Sequence, residues 1–209
     1  MDTVQIVGLA LGSAWTSGIN LYATVAVLGL LERYQWVHLP GSLHTLDSWL
    51  IIGVAIFLYC VEFVADKIPY VDTIWDAVHT FIRVPAGAVL AAAATSDINP
   101  GIQVAALLVG GGLALSTHGT KAAARATANL SPEPFSNWML SLIEDVIAVG
   151  ASIIATFHPL IILGVIALFL LFFAWIAPRV IRKLRKMVAT VRNFLRGRPA
   201  IEEKGRYNE

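Results

Sequence analysis

The chain has little charge, a single cysteine and none of the short motifs of a soluble enzyme, and each shortage removes a class of answer. Charged residues fill 14% of 209 positions and hydrophobic ones 57%, with a mean hydropathy of +0.71, whereas soluble domains carry about a quarter charged residues. That composition excludes an ordinary soluble domain and assigns most of the chain to a bilayer. The lone cysteine, Cys60, excludes an internal disulfide and a cysteine-based zinc cluster. No Gly-x-Ser-x-Gly elbow, P-loop, dinucleotide fingerprint or zincin motif occurs, so nothing supplies an activated nucleophile or a cofactor cradle. Asp76 with His79, or Glu144 with His118, come nearest to a metal pair, but no His-x3-His or Glu-x2-His spacing is present and no metal or cofactor is expected. No Lys or Arg precedes the first apolar stretch and no small-residue cleavage site follows a short apolar core. The first segment is therefore expected to stay in the membrane.

What charge there is falls unevenly. Residues 1–178 carry 5 Lys and Arg against 11 Asp and Glu, net −6, and residues 179–209 carry 10 against 3, net +7. The basic run Arg179, Arg182, Lys183, Arg185 and Lys186 directly follows the apolar stretch Pro159 to Pro178, which places the C-terminus in the cytoplasm by the positive-inside rule. Helical spacing of Val180, Ile181, Leu184, Met187, Val188, Val191 and Leu195 predicts an amphipathic continuation on anionic lipid. A nucleic-acid arm is not expected beside a membrane. The predicted organisation is a membrane domain, 1–178, and a basic cytoplasmic tail, 179–209.

On the ruler of about 20 apolar residues per span, clear segments are Trp49 to Val64, Gln103 to Leu115 with its extension, Leu140 to Phe157 and Leu160 to Ile176. Two more are apolar but interrupted: Val4 to Leu31, broken near Thr16, Ser17, Gly18 and Asn20, and Ile74 to Ala94, which holds Asp76, His79, Arg83 and Pro85. The predicted fold is all-α and polytopic, with about six membrane-embedded helices. A shift of 101 residues lays Thr16, Gly18 and Ala23 on Thr117, Gly119 and Ala124, and a shift of 63 lays Trp75 and Gly87 on Trp138 and Gly150. This weak internal repeat, read as inverted, is an architecture of secondary transporters, which bind substrate at the repeat interface. The same residues also allow re-entrant hairpins and parallel repeats, or a chance match among small residues.

Polar residues inside the apolar segments are the functional candidates, because an intramembrane charge is costly unless it faces protein or water. Interruptions are expected at Thr16 to Asn20 and again at Ser116 to Thr120, each exposing backbone N–H groups and a positive dipole end suited to an anion. Gly18, Asn20, Tyr22, His118, Gly119, Lys121 and Arg125 are accordingly the expected substrate-binding set. The competing interpretation has the glycines serving close helix packing and the hydroxyls bonding the preceding turn. Lys121 and Arg125 share a helix face and call for a negative partner, either a ligand or the pair Glu144 and Asp145.

Glu62, Asp66, Asp72, Asp76, His79 and Arg83 follow one another at helical spacing, and Asn137, Ser141 and Glu144 or Asp145 form a second stripe. Asp76, His79, Arg83, Glu144 and Asp145 are the expected proton relay or counter-charge. Asp66, Lys67 and Asp72 are expected at headgroup level, in a solvated loop around Pro69. Trp15, Trp36, Trp49, Trp75, Trp138 and Trp175 are expected in interfacial belts.

The pieces SAWTSGINLYATVAVLGLLER, EFVADKIPYVDTIWDAVHTFIR, HGTKAAARATANLSPEP and SLIEDV, within about residues 5 to 160, resemble a bacterial family of small integral membrane proteins filed only as a domain of unknown function. The resemblance implies a membrane fold and no activity. The residues themselves lead to an expectation of transport of a small anionic solute, proton-coupled or not, across a bacterial inner membrane. A non-transport scaffold with structural ion pairs, and an enzyme acting on lipid head groups, are the alternatives. Membrane lipid and a small solute or ion are the expected partners, with homo-oligomerisation left open.

Overall fold

The computed structural model describes residues 1–68, 70–129 and 134–195. Six α-helices account for most of them: α1 Thr3–Arg33, α2 Trp49–Ala65, α3 Val71–Ala94, α4 Pro100–Ala128, α5 Pro134–Phe157 and α6 Pro159–Leu195, with a short 3-10 helix Gly41–Asp47 before α2. No strand occurs among the described residues. Five helices are long and apolar enough to cross a bilayer, and the 3-10 helix with α2, bent by 77°, makes a sixth candidate. This agrees with the six segments expected, and the protein is a multi-pass all-α membrane protein.

The chain divides into two compact units, Met1–Ile166 and Ala167–Glu209. In the first, α1 is the central helix, packed by α2, α3, α4 and α5. Its sequence is apolar or small on every side, the mark of a fully enclosed helix, and nearly all of Gly8 to Leu31 is buried. It starts with a capping box in which the Asp2 carboxylate accepts from Gln5 N and the Gln5 side chain accepts from Asp2 N, both at 2.8 Å. Small residues let its neighbours approach. A Cβ on Gly12 would stand 2.4 Å from Ala155 Cβ, and one on Gly18 would stand 2.6 Å from the Ala114 carbonyl of α4. In the second unit the helix continues without interruption through Pro178 and the start of the basic run to Leu195, with the Arg179 guanidinium 3.9 Å above the Trp175 ring. The expected tail beyond Leu195 lies outside the described residues.

Of the two expected interruptions, one is present. Asn20 leaves helical geometry at φ −146, ψ 101 in the middle of α1. At Ser116 to Thr120, by contrast, α4 is continuous helix. There the hydroxyls of Ser116 and Thr117 both donate to the Leu113 carbonyl and Thr120 to that of Ser116, each at 2.8 Å. Hydroxyls that bond the preceding turn do not require a break, and Gly119 is exposed with open space around it. The tryptophan expectation is corrected at Trp15, which is buried in α1; Trp75 is half-buried near the start of α3 and stacks on His79 with ring centroids 4.2 Å apart.

Candidate functional site

The polar residues of α1 to α5 converge on one buried cluster. Glu62 near the end of α2, Asp66 just after it, Asp72 and Asp76 in the first half of α3, and Glu144 and Asp145 on α5 are all buried, as are Arg83 on α3 and Lys121 and Arg125 on α4. Helical spacing explains the grouping: Asp72, Asp76, His79 and Arg83 share a face of α3, and His118, Lys121 and Arg125 share a face of α4.

Each of the three cations is held by several carboxylates. Arg83, with no exposed surface, meets Glu62 at 2.6 Å and Asp76 at 3.3 Å. Lys121 lies 3.2 Å from Asp66, 3.4 Å from Glu62, 3.5 Å from Glu144 and 3.7 Å from Asp76. Arg125 donates through Nη2 to Asp66 Oδ2 at 2.8 Å, through Nη1 to the Asp66 carbonyl at 2.8 Å, and to Glu144 from Nε at 3.1 Å and from Nη2. Asp72 sits 3.8 Å from Arg125 and accepts from Asn129 Nδ2 at 3.0 Å.

The histidines are oriented by their acceptors. His118 faces the donor-only Arg83 guanidinium through Nδ1 at 3.1 Å and the Asp76 carbonyl through Nε2 at 3.0 Å. Its proton therefore sits on Nε2. His79 faces the Trp75 carbonyl through Nδ1 at 2.8 Å, which makes Nε2 the acceptor for the Tyr22 hydroxyl at 3.0 Å.

The break in α1 is closed by this cluster. Asn20 caps the second half of α1, its Oδ1 accepting from Ala23 N at 2.9 Å, the arrangement of a helix N-cap. The carbonyl freed at Ile19, at the negative end of the first half, accepts from Lys121 Nζ at 3.1 Å. At the positive end of the second half stands Asp145, whose Oδ1 accepts from Asn20 Nδ2 at 3.0 Å. The anion that the broken helix attracts is the protein's own carboxylate.

Six buried carboxylates thus face three permanent cations. Four of their oxygens, Glu62 Oε2, Asp66 Oδ1, Asp76 Oδ2 and Asp145 Oδ2, are buried without a hydrogen-bond donor. Among the described residues no group of three or more carboxylate, histidine or cysteine side chains has metal-binding geometry. The cluster extends from the helix ends at Asp66, Asp72 and Asn129 to Asn20 and Asp145. Asp145 lies about 17 Å along α5 from Pro134, about half the hydrocarbon thickness.

Of the expected substrate-binding set, Asn20, Tyr22, His118, Lys121 and Arg125 meet in or beside the cluster, Gly18 supports the contact of α1 with α4, and Gly119 is outside it. Asp76, His79, Arg83, Glu144 and Asp145 are all in it. The solvated loop expected for Asp66 and Asp72 is corrected, since both are buried against Arg125 at the helix ends. Only Lys67 of that trio is partly exposed, donating to the Phe63 carbonyl at 3.0 Å. Burial pushes its ammonium below the ordinary lysine range, against the pull of Asp145 and Asp66. Glu62, Asp66 and Asp72 are site residues that the expected set omits. Their signal was the i, i+4 pair Glu62 and Asp66 at the end of an apolar run.

No curated protein and no solved structure matches the chain. A family model matches residues 7–179, which span the whole cluster and end where the basic run begins. The chain therefore belongs to the family described as Domain of unknown function (DUF4126).

Proposed function

We propose that this protein moves protons, with or in exchange for a small solute, through the buried cluster, across a bacterial inner membrane with its basic C-terminus in the cytoplasm. The observation that carries this reading is the carboxylate excess. An uncompensated buried ion costs several kcal/mol, and six buried carboxylates outnumber the three buried cations and the partly exposed Lys67 together. Protons or another cation must make up the difference, and oxygens without donors offer the places.

The expectation of an anionic solute draws no support from the geometry, because Lys121 and Arg125 are fully engaged by the chain's own carboxylates. A cationic or neutral solute suits the cluster better. The inverted repeat belongs to the same proposal. With each helix crossing, α1 and α4 run in opposite directions, and α1 packs on α5 as α4 packs on α3, but the other matched pair, α3 and α5, run the same way, and α1 packs on α3 where α4 barely meets α5. The unbroken α4 makes the two halves unequal.

A structural role is the second reading, favoured by the way Lys121 and Arg125 tie the end of α2, α3 and α5 together. Proteoliposomes holding a pH-sensitive dye separate the two. With a potential imposed and a panel of small cations and neutral solutes outside, wild type should acidify or alkalinise the lumen, and Glu144→Gln should lose the signal or change its pH profile. A silent wild type, shown to be folded and inserted, would leave the structural reading.

A further inference from the structure

Resting on the reading of the cluster as a proton-exchanging centre, we infer that Asp145 is the carboxylate that takes up and releases the proton, and that the broken helix at Asn20 is the element that responds to its charge.

The assignment follows from how the six carboxylates are held. Glu62 has Arg83 at 2.6 Å, Asp66 has Arg125 at 2.8 Å, Asp76 has Arg83 at 3.3 Å, and Glu144 has Lys121 at 3.5 Å besides Arg125. Asp72 has Arg125 at 3.8 Å and donors from Asn129. Protonating any of these takes an ion-pair contact away from a buried cation. Asp145 differs. It is 7% exposed, no Lys, Arg or His nitrogen among the described residues lies within 4.0 Å of it, and Oδ2 has no donor. Its hydrogen bonds come from uncharged groups, the amide Asn20 Nδ2 at 3.0 Å and the Tyr59 hydroxyl. The groups that face it are Tyr59 and Glu62 on α2, Asp66 and Lys67 in the following turn, Lys121 on α4 and Asn20 on α1, with Glu144 beside it on α5. Protonation there strands no cation.

The consequence falls on α1. Ionised, Asp145 stands at the positive end of the second half-helix and accepts from its cap residue; protonated, it loses the charge that the dipole favours. The other side of the break is fixed by Lys121 on the Ile19 carbonyl, so the charge of Asp145 biases how the second half, from Leu21 onward, sits against the first. The start of that half is tied to the centre of the molecule a second time, since Tyr22 continues to His79.

The test needs no assumption about the transported solute. Dicyclohexylcarbodiimide adds the O–H of a protonated carboxyl across its N=C bond, so it marks apolar, protonated acids in the wild-type protein. Peptide mass spectrometry should find the label on Asp145, falling about tenfold per pH unit above its midpoint. Infrared pH-difference spectra should show a carboxylic-acid carbonyl band that disappears in Asp145→Asn and persists in Glu144→Gln. Label confined to other carboxylates, no label on any, or a band that survives Asp145→Asn would overturn the assignment. If Asp145→Asn does not fold, the wild-type labelling still decides. A labelled Asp145 in a protein with no flux would support the assignment while sinking the transport reading. Flux with the band intact in Asp145→Asn would do the reverse.

Discussion

Replacing Arg83 by methionine gives the sharpest test of the cluster as built. Arg83 has no exposed surface and meets Glu62 at 2.6 Å and Asp76 at 3.3 Å, while its Nη1 also donates to His118 Nδ1 at 3.1 Å. Methionine keeps an unbranched aliphatic stem and deletes the guanidinium, so the change leaves six carboxylates against two buried cations, and Asp76 Oδ1 and His118 Nδ1 without that donor. Breaking one partner out of a buried ion pair costs about 3–5 kcal/mol. At about 2–4 °C per kcal/mol for a protein of this size, the apparent Tm should fall by roughly 6–20 °C. The assay is thermal unfolding in one detergent at fixed pH, followed by the loss of monodisperse protein. Removing the partner as well should recover part of the loss: Glu62→Gln with Arg83→Met should be more stable than the two single losses added, by about 0.5–3 kcal/mol. An Arg83→Met protein within 2 °C of wild type would refute the pairing itself, and with it the charge count on which the proton reading rests.

The two glycines aligned by the internal repeat should respond in opposite senses. Gly18→Ala would place Cβ 2.6 Å from the Ala114 carbonyl and 2.8 Å from Thr117 Cβ, and should lower stability by about 1–3 kcal/mol. Gly119→Ala meets open space inside a continuous helix, and should be neutral or raise stability by up to about 1 kcal/mol; equal effects in a thermal melt would contradict the packing. Lys121→Met should destabilise far more than Lys121→Arg, because it strips a donor from Ile19 and a cation from Asp66 and Glu62; hydrogen exchange at Leu21 to Thr24 should quicken in the methionine variant alone. For Lys67, the folded ammonium titrates below the unfolded value of 10.5, so the unfolded state binds more protons between the two and stability rises with pH through that window. Lys67→Met should flatten the rise when melts are compared from pH 8 to 10.5; an unchanged slope would assign it to another group.

The sequence by itself determined the membrane class, the helix count and most of the cluster's membership. Its reason is one-dimensional: transfer of each side chain to hydrocarbon is a property of the residue, so Asp76, Arg83, Lys121, Arg125 and Glu144 stand out in apolar runs wherever the chain goes. The break at Asn20 was legible for the same kind of reason, since a capping residue two positions after a glycine carries its own local preference. The second expected break failed because Ser116, Thr117 and Thr120 can equally bond the preceding turn, a choice that local composition leaves open. Only the tertiary structure decided which carboxylate meets which cation. Most of those contacts join different helices, such as Lys121 with Glu62, 59 residues apart, and Asn20 with Asp145, 125 apart, and depend on the depth and crossing of those helices. They buried Asp66 and Asp72 instead of leaving them solvated, seated Asp145 where an external anion was expected, and engaged Lys121 and Arg125 with the chain's own carboxylates.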